Sequence, residues 1–218
     1  SGAYQSQESP WYDWFCFQHW PDKYDAWWGI DTLPAVNENA DAYREFIIRS
    51  EDSIIRRWLR CGADGWRLDV ADELPDDFIE EIRAAMEQEK PDSFLLGEVW
   101  EDGSNKIAYS RRRRYLLGRE THGLMNYPLR TAALDYIRGG SAAAFRDTME
   151  EQRENYPPAA FYSGLNILGT HDTPRILTLL GADAIPDSKE ARAAYHLSPE
   201  NRRLAVRRLT LAAMLLYT

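Results

Sequence analysis

Residues 61–75 read CGADGWRLDVADELP, and they place charged side chains inside and just after a short apolar segment. Successive side chains of a β-strand point to opposite faces, so Arg67 and Asp69 share one face if this segment is a strand. Two opposite charges on one face of a short apolar strand indicate either a structural ion pair or a functional site. By themselves, these two residues favour neither interpretation.

Strand-like and helix-like segments alternate on both sides of this stretch. Before it, the pattern predicts a helix over 39–62, capped by Asn39 or Asp41 and stopped at Gly62. A strand over 64–70 comes next, and the remaining predicted segments are a helix over 76–89, strands over 92–100 and 123–127, helices over 128–138 and 141–153, and a strand within 163–175. Residues 199–216 begin as a helix and are expected to turn toward another strand. Short strands that are apolar on both faces and alternate with helices are typical of a parallel sheet covered by helices.

Charged residues come at the carboxyl ends of three of these predicted strands. They are Asp69, Glu98 and Asp172, with His171 beside the last. Parallel α/β folds, and (β/α)8 barrels in particular, carry their chemistry at this edge of the sheet. Paired carboxyl groups suit glycoside hydrolysis, in which one donates a proton to the leaving oxygen and the other attacks the anomeric carbon. Arg67 would orient Asp69 through charge-assisted hydrogen bonds, and His171 can donate a hydrogen bond to a sugar hydroxyl.

The composition argues against several classes of partner. The formal net charge of −9 disfavours nucleic acid, because its phosphate backbone needs a basic surface. The run RRRR at 111–114 is the local exception, and we interpret it as a solvated helix face or loop. No apolar run reaches the roughly 18 residues of a membrane-spanning helix, so we expect no membrane partner. A phosphate-binding α/β protein has little support, since neither GxxxxGK nor GxGxxG occurs.

The two cysteines, Cys16 and Cys61, lack the spacing of a metal site. Cys61 ends the first predicted helix, and we interpret it as a small buried hydrophobic residue. We expect no disulfide framework, no metal site and no cofactor. Because these residues include no recognisable signal peptide, the sequence favours a cytoplasmic location.

An aromatic-rich segment, residues 11–28, holds nine aromatic residues and five of the eight tryptophans. Its pattern is too irregular for a helix or a strand. One interpretation is a small core that holds an irregular excursion together. The other is a stacking surface for a flat ligand such as a sugar ring, and the sequence leaves both open.

Three motifs, DGWRLDVADE (64–73), GEVW (97–100) and LGTHDTPR (168–175), resemble ordered sequence blocks of the α-amylase family of glycoside hydrolases. LPAVNENADAYREFI (33–47) resembles a further block that precedes them in that family. The forms DVADE, GEVWED, MNYPLR and HDTPRILT are most similar to the neopullulanase, cyclomaltodextrinase and maltogenic amylase branch.

The resemblance implies a partial TIM (β/α)8 barrel, with about strands four to seven and the start of strand eight. Residues 1–39 would be the domain-B-like excursion after strand three, and residues 40–218 the C-terminal part of the barrel, ending before strand eight is complete. The family's first block, with its sugar-binding His and Asp, would lie before residue 1. Half a barrel leaves two sheet edges open, so we expect self-association and weak or absent activity of the isolated chain.

The resemblance also implies residue roles in retaining cleavage of an α-glucan. Asp69 matches the nucleophile, Glu98 the general acid/base and Asp172 the third carboxylate, which grips ring hydroxyls. The Asp69 and Glu98 carboxyl groups would then lie roughly 5–5.5 Å apart in the assembled site. The supporting and substrate-binding residues implied or suggested in this way are Arg67, His171, Trp100, Asp72 and Glu73.

Several alternatives stay open. Asp72 and Glu73 can line the acceptor side of the site or cap the helix that begins near Pro75. The chain can also belong to a non-catalytic relative that serves as a carbohydrate-binding or interaction module, although the presence of all three carboxylates favours the enzyme. These residues do not decide which bond is cleaved or whether the reaction is hydrolysis or glycosyl transfer. They also do not decide whether a full-length parent binds calcium.

Overall fold

The structure is a computed structural model, and it describes residues 2–217. The chain divides into two compact units: unit 1 is Ser1–Leu95 with Arg119–Thr121, and unit 2 is Leu96–Gly118 with His122–Thr218. The predicted domain boundary between residues 39 and 40 lies inside unit 1, and it stays a prediction.

Every strand and helix predicted between residues 64 and 153 is present, but the short strands within 11–28 and 101–120 and three short helices between residues 158 and 194 were not predicted. The strands in chain order are β1 (Phe17–His19), β2 (Lys23–Tyr24), β3 (Gly65–Leu68), β4 (Phe94–Gly97), β5 (Ile107–Ala108), β6 (Arg111–Arg112), β7 (Gly123–Asn126) and β8 (Leu165–Asn166). The α-helices are α1 (Asp41–Arg44), α2 (Ile54–Arg60), α3 (Asp76–Glu89), α4 (Tyr127–Ile137), α5 (Ala142–Asn155), α6 (Pro158–Tyr162), α7 (Ile176–Gly181), α8 (Lys189–Ala194) and α9 (Pro199–Tyr217). Shorter 3₁₀ turns lie at Gly2–Tyr4, Tyr12–Trp14, Trp27–Gly29 and Ala71–Glu73, and a π-helical turn at Glu45–Arg49.

In unit 1, the strand of the opening motif lies against the start of β4. The backbone N–H of Phe94 donates to the Asp64 carbonyl at 2.9 Å. A Cβ atom at Gly65 would lie 1.9 Å from the Phe94 carbonyl oxygen, so only glycine permits this approach. Helices α2 and α3 supply much of the buried apolar surface of this unit, through Ile55, Leu59, Phe78, Ile79, Ile82 and Met86.

The first predicted helix is interrupted, which corrects the single helix expected over 39–62. It begins as α1, continues as the π-helical turn, and stops where Ser50 and Ser53 adopt extended backbone before α2. Neither Asn39 nor Asp41 caps it, because the N-cap position is Ala40 and has no side-chain hydrogen bond. The predicted stop is confirmed, since Gly62 has a φ of +104° after the last turn of α2.

Arg44 holds the first part of the interrupted helix against α3. Its side chain is 8% exposed and forms ion pairs with Asp77 at 2.8 Å and Glu81 at 2.9 Å, both on α3. Arg49 also pairs with Glu81. Burial opposes the charge of Glu81, but hydrogen bonds from Arg49 and Arg44 outweigh it and lower the pKa of this carboxyl group. These tertiary contacts fix α1 and the π-helical turn against α3.

The N-terminal aromatic residues form part of a local core. The Trp14 ring lies 5.3 Å from that of Tyr43 and 5.2 Å from that of Phe46, and the Trp20 indole N–H donates to the Ala3 carbonyl. These contacts support the structural interpretation of the segment. Trp28 is 80% exposed, so the stacking-surface interpretation stays open for that residue.

In unit 2, three parallel segments lie in the order β4, β7, β8. Leu96 of β4 pairs with Gly123 of β7, and Met125 of β7 pairs with Leu165 of β8. Helix α9 packs against α7 and α4 around a cluster of Leu134, Leu180 and Ala205. This is the predicted arrangement of parallel strands covered by helices, although β8 is only two residues long.

Three further expectations are wrong. Residues 199–217 are helical throughout α9, so the strand expected at the end of this segment is absent; Leu, Ala and Met in LAAMLL are strong helix formers. Cys61 is exposed rather than buried. The arginine run is not uniformly solvated, because Arg113 is 6% exposed and its guanidinium lies 4.8 Å from the centroid of the Tyr115 ring.

Candidate active site

The Arg67–Asp69 pair of the opening motif forms in unit 1. Arg67 lies on β3 and donates from Nη1 to Asp69 Oδ1, just after the strand ends. The Asp69 side chain is 71% exposed, so its carboxylate is accessible. This contact confirms that the two charges lie together, as the strand alternation predicted.

The backbone turns sharply after Asp69. Val70 has φ +40° and ψ +60°, a left-handed conformation that a β-branched residue rarely adopts. Such strain costs about 1–3 kcal/mol and commonly occurs next to functional groups. The turn Ala71–Glu73 follows, and it carries Asp72 and Glu73, both half-buried. The N-cap position of α3 is Pro75, so neither acid occupies it, and a role in lining the acceptor side stays a prediction.

Glu98 in unit 2 directly follows β4 and is 4% exposed. A buried carboxyl group requires hydrogen-bond partners. The Trp100 indole Nε1 donates to Glu98 Oε1 at 3.2 Å, and the Tyr127 hydroxyl lies 3.5 Å from the same oxygen. The rings of Trp100 and Tyr127 stack with centroids 4.0 Å apart and planes 14° apart. The catalytic candidate Glu98 therefore rests against a stacked aromatic pair.

His171 and Asp172 lie in the turn between β8 and α7. His171 Nε2 lies 3.2 Å from Asp172 Oδ2, and both side chains are exposed. The backbone N–H of Asp172 donates to Thr170 Oγ1 at 3.3 Å. The Tyr127 hydroxyl lies 3.4 Å from that same threonine oxygen, so a chain of polar groups connects Glu98 to the Asp172 turn.

Helix α4 holds this turn in a second way. Arg130 is 8% exposed and donates from Nε to the Leu168 carbonyl at 3.0 Å. Burial lowers the pKa of its guanidinium, which nevertheless stays charged at neutral pH. Tyr127 and Arg130 thus both anchor the segment that leads to Asp172.

A cavity of about 330 Å³ opens beside Asp172. Its lining includes His171, Asp172, Arg175, Arg192 and Tyr195. The volume lies within the roughly 300–1,000 Å³ typical of small-molecule sites. Carboxylate, imidazole, guanidinium and phenol groups around one cavity suit a ligand rich in hydroxyl groups.

The predicted site residues are divided between the two units. In unit 2, Glu98 contacts Trp100 and Tyr127, and Tyr127 contacts Thr170 in the turn that carries His171 and Asp172. Unit 1 holds the Arg67–Asp69 pair with Asp72 and Glu73. The expected separation of the Asp69 and Glu98 carboxyl groups stays a prediction.

Sequence reasoning missed Tyr127, Thr170 and Arg130 as members of the site. A signal for Tyr127 was present, because it follows β7 in the same way that Glu98 follows β4. The motifs MNYPLR and LGTHDTPR also contain all three residues. Their roles depend on contacts across the sheet, which the motifs alone do not specify.

Within residues 2–217, no three or more His, Cys, Asp or Glu side chains gather closely enough to hold a metal ion. Among the helices of the same part of the chain, none combines the length and apolar character needed to cross a bilayer.

The family model for the alpha amylase catalytic domain matches residues 3–201. Amylopullulanase of Thermoanaerobacter thermohydrosulfuricus is 35% identical, and the alignment covers 98% of this chain and 15% of that protein. Cyclomaltodextrinase of Geobacillus thermopakistaniensis (strain MAS1) is 33% identical over 78% of this chain and 28% of that protein. The chain thus spans less than a third of either curated relative.

Among solved structures, the type III pullulan hydrolase from Thermococcus kodakarensis is similar with a TM-score of 0.71 and 31% identity. The match covers 98% of this chain and 35% of that structure. Together with the parallel strands of unit 2, it confirms the predicted partial barrel, and the cyclomaltodextrinase match confirms the predicted branch.

Proposed function

Because the chain belongs to the alpha-amylase family of glycoside hydrolases, we propose that it forms part of the catalytic barrel of a retaining α-glucan hydrolase. The substrates we propose are maltooligosaccharides, cyclodextrins, pullulan or starch, cleaved at α-1,4 and in some of them at α-1,6 linkages. The names of the similar amylopullulanase and cyclomaltodextrinase support this substrate class.

In the first proposed step, Glu98 donates its carboxyl proton to the glycosidic oxygen. The bond between the anomeric carbon and that oxygen breaks, and an Asp69 carboxylate oxygen forms a bond to the anomeric carbon. The product is a covalent glycosyl-aspartate and a free sugar hydroxyl. Arg67 supports this step by holding the Asp69 carboxylate in its orientation.

In the second proposed step, Glu98 removes a proton from a water molecule, whose oxygen attacks the anomeric carbon. The bond to Asp69 breaks, and the configuration at the anomeric carbon is retained overall. Asp172 and His171 bind ring hydroxyls from beside the cavity in unit 2, and Trp100 contributes an exposed aromatic surface to the sugar. If a sugar hydroxyl replaces water, the same two steps give glycosyl transfer.

The observation that carries the proposal is the environment of Glu98. Its carboxyl group is buried at the end of a parallel strand, and one of its oxygens accepts from the indole of a tryptophan that also exposes 46% of its surface. A buried acid in contact with an exposed aromatic ring suits proton donation to a bound sugar.

Replacing Glu98 by Gln in the complete natural protein tests the proposal. We expect hydrolysis of maltooligosaccharides to fall at least about a hundredfold, because general acid–base catalysis typically contributes 10²–10⁴-fold. Glu101→Gln is the matched control, since Glu101 is an exposed acid three residues away that pairs with Lys106. We expect that variant to retain activity, measured as reducing ends released.

The second candidate function is a non-catalytic carbohydrate-binding or interaction module. The accessible cavity beside Asp172 favours it as strongly as it favours catalysis. Glu98→Gln separates the two, because a binding module would keep its glucan affinity and would show no hydrolysis in either form. Unchanged hydrolysis in Glu98→Gln would contradict the catalytic assignment.

We also propose that the isolated 218-residue chain hydrolyses glucans weakly or not at all and that it self-associates. In unit 2 the parallel strands leave β8 at one edge, and α9 exposes Leu204 and Leu211, seven residues apart on one face. A second copy of the chain is the occupant we assign to this apolar face, because burying it removes that face from water.

A further inference from the structure

Another cavity of unit 2 is lined by α4, α5 and the segment after β4, and the proposed reaction gives it no role. Its volume of about 450 Å³ lies within the roughly 300–1,000 Å³ typical of small-molecule sites. The lining includes Pro128, Thr131 and Asp135 of α4, Phe145 of α5, and Trp100 after β4. Helical positions three and four residues apart lie on one face, so α4 presents a single face to this cavity.

Aromatic rings contribute flat surfaces to the lining. The rings of Tyr136 and Phe145 stack with centroids 5.5 Å apart and planes 13° apart, and Tyr136 is 40% exposed. Trp100 lines the same cavity and exposes 46% of its surface. The lining residues Ala132 and Ala144 are small, and they leave room for a ligand beside the rings. Flat faces with a polar edge suit the stacking of a sugar ring.

The charges around the cavity decide which class of ligand fits it. Asp102 and the exposed Asp135 contribute carboxylates, and the described residues that line the cavity include no Lys, Arg or His. These charges repel an anion such as phosphate. Within residues 2–217, no three acidic, histidine or cysteine side chains gather closely enough to hold a metal ion. The ligand that fits best is uncharged and rich in hydroxyl groups, which donate hydrogen bonds to carboxylates.

We propose that this cavity binds a segment of an α-glucan chain, with one sugar ring on Tyr136 and ring hydroxyl groups that donate to Asp135. The inference rests on the proposed function for its ligand, because the lining by itself requires only a neutral, hydroxyl-rich molecule with flat faces. Glu101 also lies in the lining, but it pairs with Lys106, and we assign it no contact with the sugar.

The position of the cavity relates this site to the proposed reaction. The Trp100 indole that lines it also donates to Glu98 Oε1. Tyr136 lies nine residues along α4 from Tyr127, the other described contact of that oxygen, which is about 14 Å along the helix axis. A glucan segment bound at Tyr136 therefore lies away from the reacting bond. Holding one part of a long chain there raises the effective concentration of the rest of the chain near Glu98.

Affinity electrophoresis of the complete natural protein, in gels that contain soluble starch, measures binding at this site. All samples carry Glu98→Gln, so that starch is not consumed during the run. We expect Tyr136→Ala to raise the apparent dissociation constant for starch about fivefold, the effect of losing one aromatic stacking contact. Ala144→Leu fills the cavity with a good helix former and removes no contact, so we expect a loss of similar size. If Tyr136→Ala does not fold, Ala144→Leu decides the outcome.

Tyr162→Ala is the matched control for Tyr136→Ala. Tyr162 is 85% exposed in the same unit and its ring contacts that of Phe161, but it is not among the described residues that line the cavity. We expect its retention by starch to equal that of the Glu98→Gln protein. A gel that contains a soluble β-glucan in place of starch tests the class of ligand, and we expect little retention there.

Starch retention at the level of the control in both Tyr136→Ala and Ala144→Leu would overturn the inference, and so would equal retention by the β-glucan. A change of oligomeric state in these variants without a change in starch retention would assign the cavity to a protein contact and overturn it too. Reducing ends released from maltooligosaccharides by Glu98→Gln test the proposed function separately. Full hydrolysis by Glu98→Gln would overturn the catalytic assignment, whereas lost hydrolysis with unchanged retention in the two cavity variants would overturn the inference alone.

Discussion

Gly65 is the residue on which the opening motif depends sterically. A methyl group there would lie 1.9 Å from the Phe94 carbonyl oxygen, so Gly65→Ala must separate β3 from β4. We expect it to lower the free energy of unfolding by about 3 kcal/mol, at the upper end for overpacked sites. Chemical denaturation of the purified chain measures this.

Gly164→Ala is the matched control for that substitution. The nearest atom to its added methyl group would be the Phe161 carbonyl oxygen at 3.5 Å, an ordinary contact. Its cost should be within about 0.5 kcal/mol. Equal losses of stability in Gly65→Ala and Gly164→Ala would contradict this account. They would show that the close approach of the Phe94 carbonyl oxygen is not the reason why residue 65 is glycine.

The polar residues of the site were predictable from sequence to the extent that their partners are close in the chain. Arg67 and Asp69 are two residues apart, and strand alternation was enough to predict their contact. The contacts around Glu98 were harder to predict, because Tyr127 is 29 residues away, and Thr170, which contacts Tyr127, is 72 residues away. No local pattern encodes a hydrogen bond that forms only when three parallel segments lie side by side.

Helices and strands were predicted best where a local pattern and the tertiary contacts agree. Helix α3 matches its prediction at both ends, because its apolar face and its acidic first turn indicate the same limits. The helix predicted over 39–62 was wrong in its continuity, because the backbone is extended at Ser50 between its two parts, and ion pairs of Arg44 hold the first part against α3. The strand expected at the end of the segment 199–216 was wrong, because helix-forming residues continue α9 to Tyr217.

Helix α9 gives the proposed self-association a direct test. Leu211 is 53% exposed on the apolar face that we assign to a second copy. We expect light scattering of the purified chain to show a dimer or larger species, and Leu211→Glu to shift it toward monomer, because a charge at a buried apolar contact is costly. A stable monomer in the unsubstituted chain, with little binding of a hydrophobic dye, would contradict the proposal.

The polypeptide as a whole was predictable as part of a (β/α)8 barrel because its motifs occur in a fixed order at strand ends. The alternation of strands with helices indicated a parallel sheet, and the resemblance of the motifs to the α-amylase family identified the barrel. The irregular N-terminal segment was not predictable in detail, since aromatic contacts such as Trp14 with Tyr43 and Phe46 follow no repeating pattern.

The central claim is that Asp69 attacks the sugar while Glu98 handles the proton. The most direct measurement is mass spectrometry of the complete natural protein carrying Glu98→Gln after incubation with α-maltosyl fluoride. Fluoride leaves without acid assistance, but the second step lacks its base, so the glycosyl-enzyme should accumulate. We predict a maltosyl group on the peptide that contains Asp69. Fluoride release with the sugar attached to another residue, or with no attached sugar at any time, would contradict the account.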